Sequence, residues 1–496
     1  MTYETLVSES PAICDRLDGI HRPAALHARL GGAALPDLLP IHHVVCPEHE
    51  ISRPVYSQLE LGEFDPGRKV CLRWRARQLK TGDNGPVFGL EPLFESSVKE
   101  VSRLVGLQEK ELALLEVADR AANELVVSEF EKYIERKFNA KVPEVLRKHD
   151  LMGVPISERY GGRGARQLLQ SLFMERLGQL GLGVITFADV HQCLGSLTIQ
   201  DWGNEEQKKR YLTRAASGEA ILAYALTEPE AGSDPVSIKT TYTRDGSGFR
   251  ISGEKYLISN GSVATNLIVF AYPQGIPRGL TAFIVDSKED GFSVDMKLEE
   301  KMGLFTSDTA LLSFDGVRIP KEDMLGQEGK GLHVAYSALL NGRLGVASGC
   351  LGVMEDCLNQ VKERATTRMQ HGKMIGKHQL IQRHIATIAS NLESSRWLVY
   401  RAALKKSEAE KSPSDLGLRL EADRQTAIAK YVSSRLAFDS ADRAVQVFGG
   451  FGYSTVSPVA KHLVDTRVAR IYEGTDEIME LKIASSILGK EFEAYG

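Results

Sequence analysis

The sequence lacks several patterns that mark whole classes of protein, and each absence excludes one class. Its six cysteines, at positions 14, 46, 71, 193, 350 and 357, include no Cys-x-x-Cys pair, which favours a reduced, intracellular setting. No uninterrupted apolar run reaches the ~18 residues that a membrane-spanning helix needs. The first residues, with Glu4, Glu9 and Asp15, do not resemble a signal or transit peptide. We therefore expect a cytoplasmic protein without a membrane span.

An excess of charge of one sign is also absent. The formal net charge of −4 gives no electrostatic reason to expect binding to nucleic acid or to an anionic membrane. No G-x-G-x-x-G follows a predicted strand, which argues against a nicotinamide-binding Rossmann domain. What is present is an ordinary globular composition, with 43% hydrophobic and 25% charged residues in a chain of 496. That length predicts about three or four domains.

Residues 1–95 differ from the rest of the chain in their richness in proline and glycine, and their role is unknown. Alternating apolar and polar residues over Val70–Arg77 predict a half-buried strand with an arginine-rich face. That face suits a solvated edge strand better than an anion site. Nearby, four side chains could bind a metal, but Pro47 interrupts them and zinc usually takes two separated pairs. We therefore predict no metal site at His42, His43, Cys46 and His49.

The remaining chain changes its hydrophobic period twice, which predicts an α+β multidomain protein. Helical spacing over residues 96–220 predicts an N-terminal helical domain. Short segments with a period of two over 221–327 predict a mostly antiparallel middle β domain, a barrel or a sandwich. Residues 328–496 form the C-terminal domain, for which long helices predict an antiparallel four-helix bundle. The predicted helices are 331–367, 377–408, 420–447 and 475–488.

One face of the first C-terminal helix is lined with glycine. Gly342, Gly345, Gly349 and Gly352 recur at spacings of three and four, so they share one side of this helix. Each interior glycine costs a helix about 1 kcal/mol relative to alanine, so four on one face need a structural reason. Close packing of another helix and room beside a flat ligand are the two candidates.

A carboxylate near the C-terminus lies in a pattern typical of a turn between two helices. Gly474 lets the backbone bend, Thr475 can cap the next helix, and Asp476 and Glu477 suit that helix's positive end. Glu473, beside this glycine at the tip of the turn, can face a cleft and act as a base. The string alone leaves a plain interhelical turn open as the alternative.

Six strings, in order along the chain, resemble signatures of the acyl-CoA dehydrogenase family. They are Ala225–Asp234, Gly253–Gly261, Arg368–Lys373, His378–Gln379, Gln446–Gly452 and Tyr472–Thr475. Any one of them could arise by chance, but six in register identify the chain as a member of that family. The resemblance runs from near Leu107 to the end, and residues 1–95 lie outside it.

The resemblance implies that FAD binds between the β domain and the C-terminal bundle. It assigns β-domain contacts with the flavin or its pyrophosphate to Leu226, Thr227, Gly232, Ser233, Leu257 and Ser259. Ser259 replaces the usual threonine, and Leu257 stands where many members have a tryptophan. Contacts across a dimer interface with the adenosine half are assigned to Arg368, His371, Gln379, Gln446, Gly449 and Gly450, and contacts with the phosphates or ribose to Thr475 and Glu477. His371 replaces the usual phenylalanine. A homodimer or homotetramer is therefore implied.

The resemblance also gives Glu473 a role as the catalytic base that removes the α-proton of an acyl-CoA thioester, while hydride leaves the β-carbon for the flavin. Some relatives carry the base on the first bundle helix, just before an arginine, but here Gly342 precedes Arg343 and cannot serve. Substrate contacts are assigned to Ser233, Arg343, Tyr472 and Gly474.

Alternatives to an acyl-CoA dehydrogenase that reduces an electron-transfer flavoprotein stay open. The substrate can be an acyl thioester on a carrier protein, or the oxidant can be oxygen; the N-terminal extension motivates the carrier version. A DNA-binding relative with little activity would have a basic C-terminal bundle, whereas the chain ends in a mixture of Lys490, Glu491 and Glu493. Flavin-dependent hydroxylases share the fold but usually lack the glutamate.

Overall fold

The computed structural model describes residues 106–494 apart from 166 and 493, together with four short strands nearer the N-terminus. These strands form two antiparallel pairs, β1 Ile41–Cys46 with β2 Ile51–Tyr56, and β3 Arg77–Gln78 with β4 Phe88–Gly89. The strand predicted at Val70–Arg77 lies outside the described residues except for Arg77, and so does His49. Among the residues that are described, no group of three or more His, Cys, Asp or Glu side chains could hold a metal ion.

The N-terminal domain is helical, as predicted. Its first helix begins with a capping box in which Gln108 and Glu111 satisfy each other's backbone N–H groups. The helices are α1 Glu109–Glu135, α2 Lys141–Lys148, α3 Gln167–Gly178, α4 Leu182–Asp189, α5 Leu197–Trp202, α6 Glu205–Gln207 and α7 Thr213–Ala216.

A π-helical segment, Val190–Ser196, joins α4 to α5. Together they make one helix, Leu182–Trp202, that is apolar and long enough to cross a membrane, with a mean hydropathy of 1.3. The apolar 18-residue stretch of that helix is entirely buried within the protein, as in the core helix of a soluble protein. The sequence predicted only its second half, from Cys193 to Trp202. π-Helical segments within α-helices are frequently found at functional sites.

The middle domain contains eight strands, which are β5 Leu222–Ala225, β6 Thr241–Asp245, β7 Gly248–Ser259, β8 Asn266–Pro273, β9 Thr281–Asp286, β10 Phe292–Lys297, β11 Thr309–Ile319 and β12 Met324–Leu325. They form one sheet in the order β10-β11-β7-β6-β8-β9-β12, with β5 paired to β8. Most pairs are antiparallel, as predicted, but β5 and β6 each run parallel to β8. Within the described residues the sheet does not close, so it is consistent with a sandwich rather than a barrel.

The C-terminal domain contains the four predicted helices, close to their predicted bounds. They are α8 Gly331–Thr367, α9 Gln379–Lys411, α10 Leu416–Phe448 and α12 Asp476–Leu488. A fifth helix, α11 Pro458–Arg467, was not predicted. The small hairpin β13 Met369–Gln370 and β14 Lys373–Met374 joins α8 to α9. Because buried Ala429, Ala437 and Ala441 lie along α10, that helix packs closely against its neighbours.

Candidate functional site

Glu473 lies at the tip of a tight turn, as the sequence predicted. Its φ of 53° and the φ of 101° at Gly474 place both residues in the left-handed region. Thr475 then caps α12, because its Oγ1 accepts a hydrogen bond from Ile478 N at 3.3 Å. A left-handed conformation at a non-glycine residue costs of order 1–3 kcal/mol and persists only where the surroundings enforce it. The turn must therefore be held by its neighbours.

Two buried cations from the bundle hold the backbone of this turn. Arg343 on α8 donates from Nε to the carbonyl of Glu473 at 2.9 Å. Lys430 on α10 donates from Nζ to the carbonyl of Gly474 at 2.6 Å. Both bonds go to the main chain, so they fix the turn without occupying the Glu473 carboxylate. The sequence reasoning assigned Arg343 to the substrate and did not identify Lys430.

The glycine face of α8 accommodates two carboxyl groups and two helices. A Cβ on Gly342 would lie 2.2 Å from Oε2 of Glu473, and one on Gly345 would lie 1.8 Å from Oδ1 of Asp189. Further along, a Cβ on Gly349 would meet Ile185 of α4 at 2.7 Å, and one on Gly352 would meet the α3 backbone at 2.1 Å. Close packing of helices therefore explains two of the four glycines, and room for carboxyl groups explains the other two.

Asp189, at the end of α4, is the main site residue that the sequence reasoning missed. Its carboxyl is buried and hydrogen-bonded to Glu473 and to the thiol of Cys193. Oδ1 of Asp189 and Oε2 of Glu473 are both enclosed and have no hydrogen-bond partner among the residues that the structure describes. A signal was available, since Asp189 is the only charged residue of the apolar run from Leu182 to Leu197.

Burial changes the protonation of both carboxyl groups. It raises the pKa of Glu473 from 4.5 to about 7, although the hydrogen bond with Asp189 and the charges of Arg343 and Lys430 oppose the rise. Burial also raises the pKa of Asp189 well above its ordinary value, and the neighbouring Glu473 raises it further. A base with a pKa near neutrality can accept a proton and release it again under ordinary conditions.

The other predicted substrate residues fall into two groups. Tyr472 and Gly474 flank Glu473, and burial raises the pKa of the Tyr472 hydroxyl well above its ordinary value. A Cβ on Gly474 would lie 2.7 Å from Cε of Met479, so a larger residue at this position requires the end of that side chain to move. Ser233, by contrast, lies with Gly232 in the exposed loop that follows β5.

The predicted β-domain contacts with the flavin lie on or beside strands β5 and β7 of the middle domain. The carbonyl of Thr227 accepts a hydrogen bond from Tyr256 N at 2.9 Å, which ties the end of β5 to β7. Leu257 on β7 has a φ of 58° and an exposed fraction of 46%, an unusual combination for an apolar residue. Ser259 follows, partly buried, and Asn260 then donates to the carbonyl of Phe187 on α4 at 3.2 Å. Leu226 is buried, and its carbonyl accepts from Lys255 at 3.2 Å.

The predicted adenosine contacts gather at one end of the bundle, where α8 and α10 terminate and α9 begins. The rings of His371 and His378 are 6.2 Å apart, and His371 has a φ of 49°. The guanidinium of Arg364 lies 5.5 Å from the ring of Phe448, which brings the ends of α8 and α10 together. This end carries Arg368, His371, Gln379, Gln446, Gly449 and Gly450, of which all but Arg368 are exposed.

Thr475 and Glu477 belong instead to the turn beside Glu473, near Lys430. Lys430 and Gln446 are both on α10, so the turn is separated from the adenosine contacts by about 24 Å of helix. The predicted cofactor contacts therefore form three groups on this chain rather than one.

These residues fit a nucleotide cofactor of the predicted kind. A Cβ on Gly232, Gly449 or Gly450 would meet nothing within 4 Å, so the backbone of both loops is open to a ligand. Arg368 offers a planar pair of donors suited to pyrophosphate. Exposed Leu257 offers an apolar surface that a flat ring can cover.

Comparison with known proteins identifies the same architecture. Three models of the acyl-CoA dehydrogenase family match the chain, those of the N-terminal domain over residues 108–219, the middle domain over 223–317 and the C-terminal domain over 329–488. An acyl-CoA dehydrogenase of Bacillus subtilis (strain 168) is 39% identical over 345 residues, 69% of this chain and 88% of the relative.

Solved structures agree with these matches. Butyryl-CoA dehydrogenase from Megasphaera elsdenii superposes with a TM-score of 0.72 at 34% identity, covering 77% of this chain and 99% of that one. A chain of a structure described as the electron transferring flavoprotein of Acidaminococcus fermentans gives a TM-score of 0.72 at 32% identity, covering 77% and 98%. With three domains matched in order around one enclosed carboxylate, the chain belongs to the acyl-CoA dehydrogenase family.

Proposed function

We propose that this protein is an FAD-dependent dehydrogenase that converts an acyl-CoA thioester to the trans-2-enoyl-CoA, with Glu473 as its catalytic base. The observation that carries the proposal is the state of that carboxylate. Its backbone is fixed by Arg343, its Oε2 has no partner among the described residues, and its pKa is about 7. A fixed, enclosed carboxylate of this kind is what α-proton abstraction requires.

The proton of the substrate α-carbon is transferred to the carboxylate of Glu473. The positive charges of Arg343 and Lys430 favour the ionised base before the transfer. In the part of the chain that the structure describes, the backbone N–H of Glu473 donates to no acceptor, so it is available to the thioester oxygen as enolate character develops. Enclosure of the carboxyl group excludes water, which strengthens each of these interactions.

The cofactor is FAD, and when bound it supplies the hydride acceptor. Thr227, Leu257 and Ser259 would hold its flavin end, and Arg368 and Gln379 the adenosine end. The three groups of contacts on one chain support a site shared between two subunits, so we propose a homodimer or a homotetramer. A cytoplasmic location and an electron-transfer flavoprotein as the electron acceptor complete the proposal, the latter supported by the similarity to a chain of the Acidaminococcus fermentans structure.

Substitution of the base tests the proposal directly. In Glu473→Gln we expect FAD to remain bound and the rate of anaerobic flavin reduction by acyl-CoA to fall by at least about 10³-fold, because the proton acceptor is lost. The matched control is Glu480→Gln, the same change on the exposed face of α12, which should reduce at the wild-type rate. Reduction by Glu473→Gln at the wild-type rate would overturn the assignment.

A panel of acyl-CoA thioesters added anaerobically to the yellow protein identifies the substrate. Bleaching of the flavin by one chain length supports the proposed reaction and names its acyl group. Bleaching only by a thioester on a carrier protein would instead support the carrier-bound alternative.

A further inference from the structure

We propose that Asp189 is a positioning residue that shares one proton with Glu473, so that the two carboxyl groups act as a single unit, the carboxyl pair. This inference deepens the proposed function and rests on Glu473 being the base. Asp189 does not touch the reacting atoms; it acts on them through Glu473.

The geometry of α8 supports the carboxyl pair. Gly342 leaves space for the Glu473 carboxyl and Gly345 leaves space for that of Asp189, less than one turn further along the same face. The two carboxyl groups come from different elements, Asp189 from the end of α4 and Glu473 from the turn before α12. They lie within hydrogen-bond reach of each other, and Oδ1 of Asp189 and Oε2 of Glu473 are both enclosed. Two carboxylates at such a distance cannot both be ionised without a large cost, so one of them keeps a proton.

The surrounding charges decide which carboxyl group keeps the proton. Arg343 on α8 and Lys430 on α10 both act on Glu473. The groups that act on Asp189 are Glu473 itself and the thiol of Cys193. Further titratable groups that face Glu473 are Tyr224 on β5, Tyr472 beside the base and Cys193 on the π-helical segment, and burial raises the pKa of each. The negative charge therefore lies on Glu473, and the proton lies on Asp189.

The hydrogen bond has a consequence for the reaction. The Asp189 O–H donates to the Glu473 carboxylate, which stops the carboxylate from rotating and leaves Oε2 as the acceptor for the α-proton. When that proton is transferred, the carboxyl pair goes from one proton to two and its charge changes from −1 to 0. The C–H bond of the α-carbon breaks and its electron pair stays on the substrate, while an O–H bond forms at Oε2, so this proton transfer needs no oxidant or further reactant.

The first test does not depend on activity. Infrared difference spectra at pH 8 between the wild type and Asp189→Asn should show the carbonyl band of a protonated carboxyl group in the wild type alone. Glu355, whose pKa burial raises to about 8, contributes equally to both proteins and cancels. Absence of the difference band would overturn the proposal, whether or not any acyl-CoA reduces the flavin.

The second test separates positioning from a structural role. Asp189→Asn keeps an N–H donor to Glu473 and should reduce flavin within about 3-fold of the wild-type rate, whereas Asp189→Leu should be about 10- to 100-fold slower because the base can rotate. The methyl group of Gly345→Ala would meet the Asp189 carboxyl first, so this variant displaces Asp189 and should resemble Asp189→Leu. The wild-type rate of flavin reduction should change at alkaline pH, where Asp189 loses its proton. That change should be absent in Asp189→Asn and present in Cys193→Ala. A wild-type rate and pH profile in Asp189→Leu would refute the positioning role.

Discussion

At the scale of single residues, backbone conformation marks the candidate site. Seven described non-glycine residues have a positive φ, and three of them, Leu257, His371 and Glu473, were assigned to the site from the sequence. Such conformations cost of order 1–3 kcal/mol each, and they concentrate where a side chain must be held in one direction. The hydrogen bonds of Arg343 and Lys430 to the turn offset that cost at Glu473.

The raised pKa of Glu473 predicts how stability depends on pH. A carboxyl group with a pKa of 4.5 in the unfolded chain and about 7 in the fold binds its proton more tightly when folded. The stabilisation of the folded state by this protonated carboxyl group is therefore fully present below pH 4.5 and is lost as the pH rises through 7. When the pH is raised from 4.5 to 8, we expect the free energy of unfolding of Glu473→Gln to increase by about 3 kcal/mol relative to that of the wild type.

Urea unfolding at the two pH values measures this change. Comparing the same variant at both pH values removes any pH-independent effect of the substitution. Glu480→Gln is again the control and should follow the wild type at both values. A constant difference between wild type and Glu473→Gln would show that the fold does not perturb this carboxyl group.

The residues of the site differ in how far the sequence could predict them. Glu473 was predicted because a glycine, a cap and acidic residues in one short string define its turn locally. Asp189 and Lys430 were not, because their partners lie on other domains or helices and no local pattern reports such a contact. Both are charged residues on buried helix faces, which is the one signal that the sequence offered.

At the scale of elements, the glycine face of α8 predicts two different kinds of defect. Gly342→Ala meets the flexible end of Glu473, so the carboxylate moves and the fold is little affected. We expect flavin reduction to slow by about 10²-fold, the typical cost of a 1 Å misplacement, with a small change in the free energy of unfolding. Gly352→Ala meets the backbone of α3 at 2.1 Å, and one of the helices must shift. We expect destabilisation by about 1–3 kcal/mol, the usual cost of overpacking.

Flavin reduction and denaturant unfolding, measured on both variants, distinguish the two defects. The variants serve as controls for each other, since they make the same change on the same face of one helix. Equal effects on rate and on stability in both variants would show that the face has a single role.

The elements that the sequence did not predict have clear physical reasons. Strand β10 was missed because five of its six residues are exposed, so it has no alternation of buried and exposed side chains. Helix α11 has Pro458 in its first turn, where proline suits a helix, but its 10 residues are too few for a clear apolar periodicity. The long bundle helices were predicted well because their apolar periodicity extends over many turns.

At the scale of the whole molecule, a buried ionic cluster connects all three domains. Lys461 on α11 lies 3.3 Å from Oε1 of Glu129 on α1 and 2.8 Å from Oδ2 of Asp465. Glu129 accepts from Thr306 Oγ1 at 2.6 Å, and Asp465 accepts from Leu304 N at 2.7 Å, both from the segment between β10 and β11. This cluster fixes how the domains that supply Asp189, Leu257 and Glu473 lie relative to one another.

We expect Lys461→Met to lower the free energy of unfolding by about 3–5 kcal/mol, because it removes the cation that pairs with the buried carboxylates of Glu129 and Asp465. The control is Lys482→Met, which removes the partner of Asp423 from a pair that is about one-third exposed and should cost less than about 1 kcal/mol. Guanidinium unfolding of both variants gives the comparison. A loss below 1 kcal/mol in Lys461→Met would show that the domains are joined mainly by other contacts.

The same ionic cluster affects the order in which the parts of the protein fold. Lys461 donates to the carbonyl of Leu180, a group 281 residues earlier in the chain, and the pairing of Asp189 with Glu473 spans a similar distance. Contacts of such separation form late, because a long loop must close before they contribute. Domains form in order from the N-terminus during synthesis, so the ribosome releases Glu473 only after the rest of the scaffold exists. With Glu473 as the proposed base, catalytic competence is the last property that the chain acquires, and a chain that stops before this residue is inactive however well its earlier domains have folded.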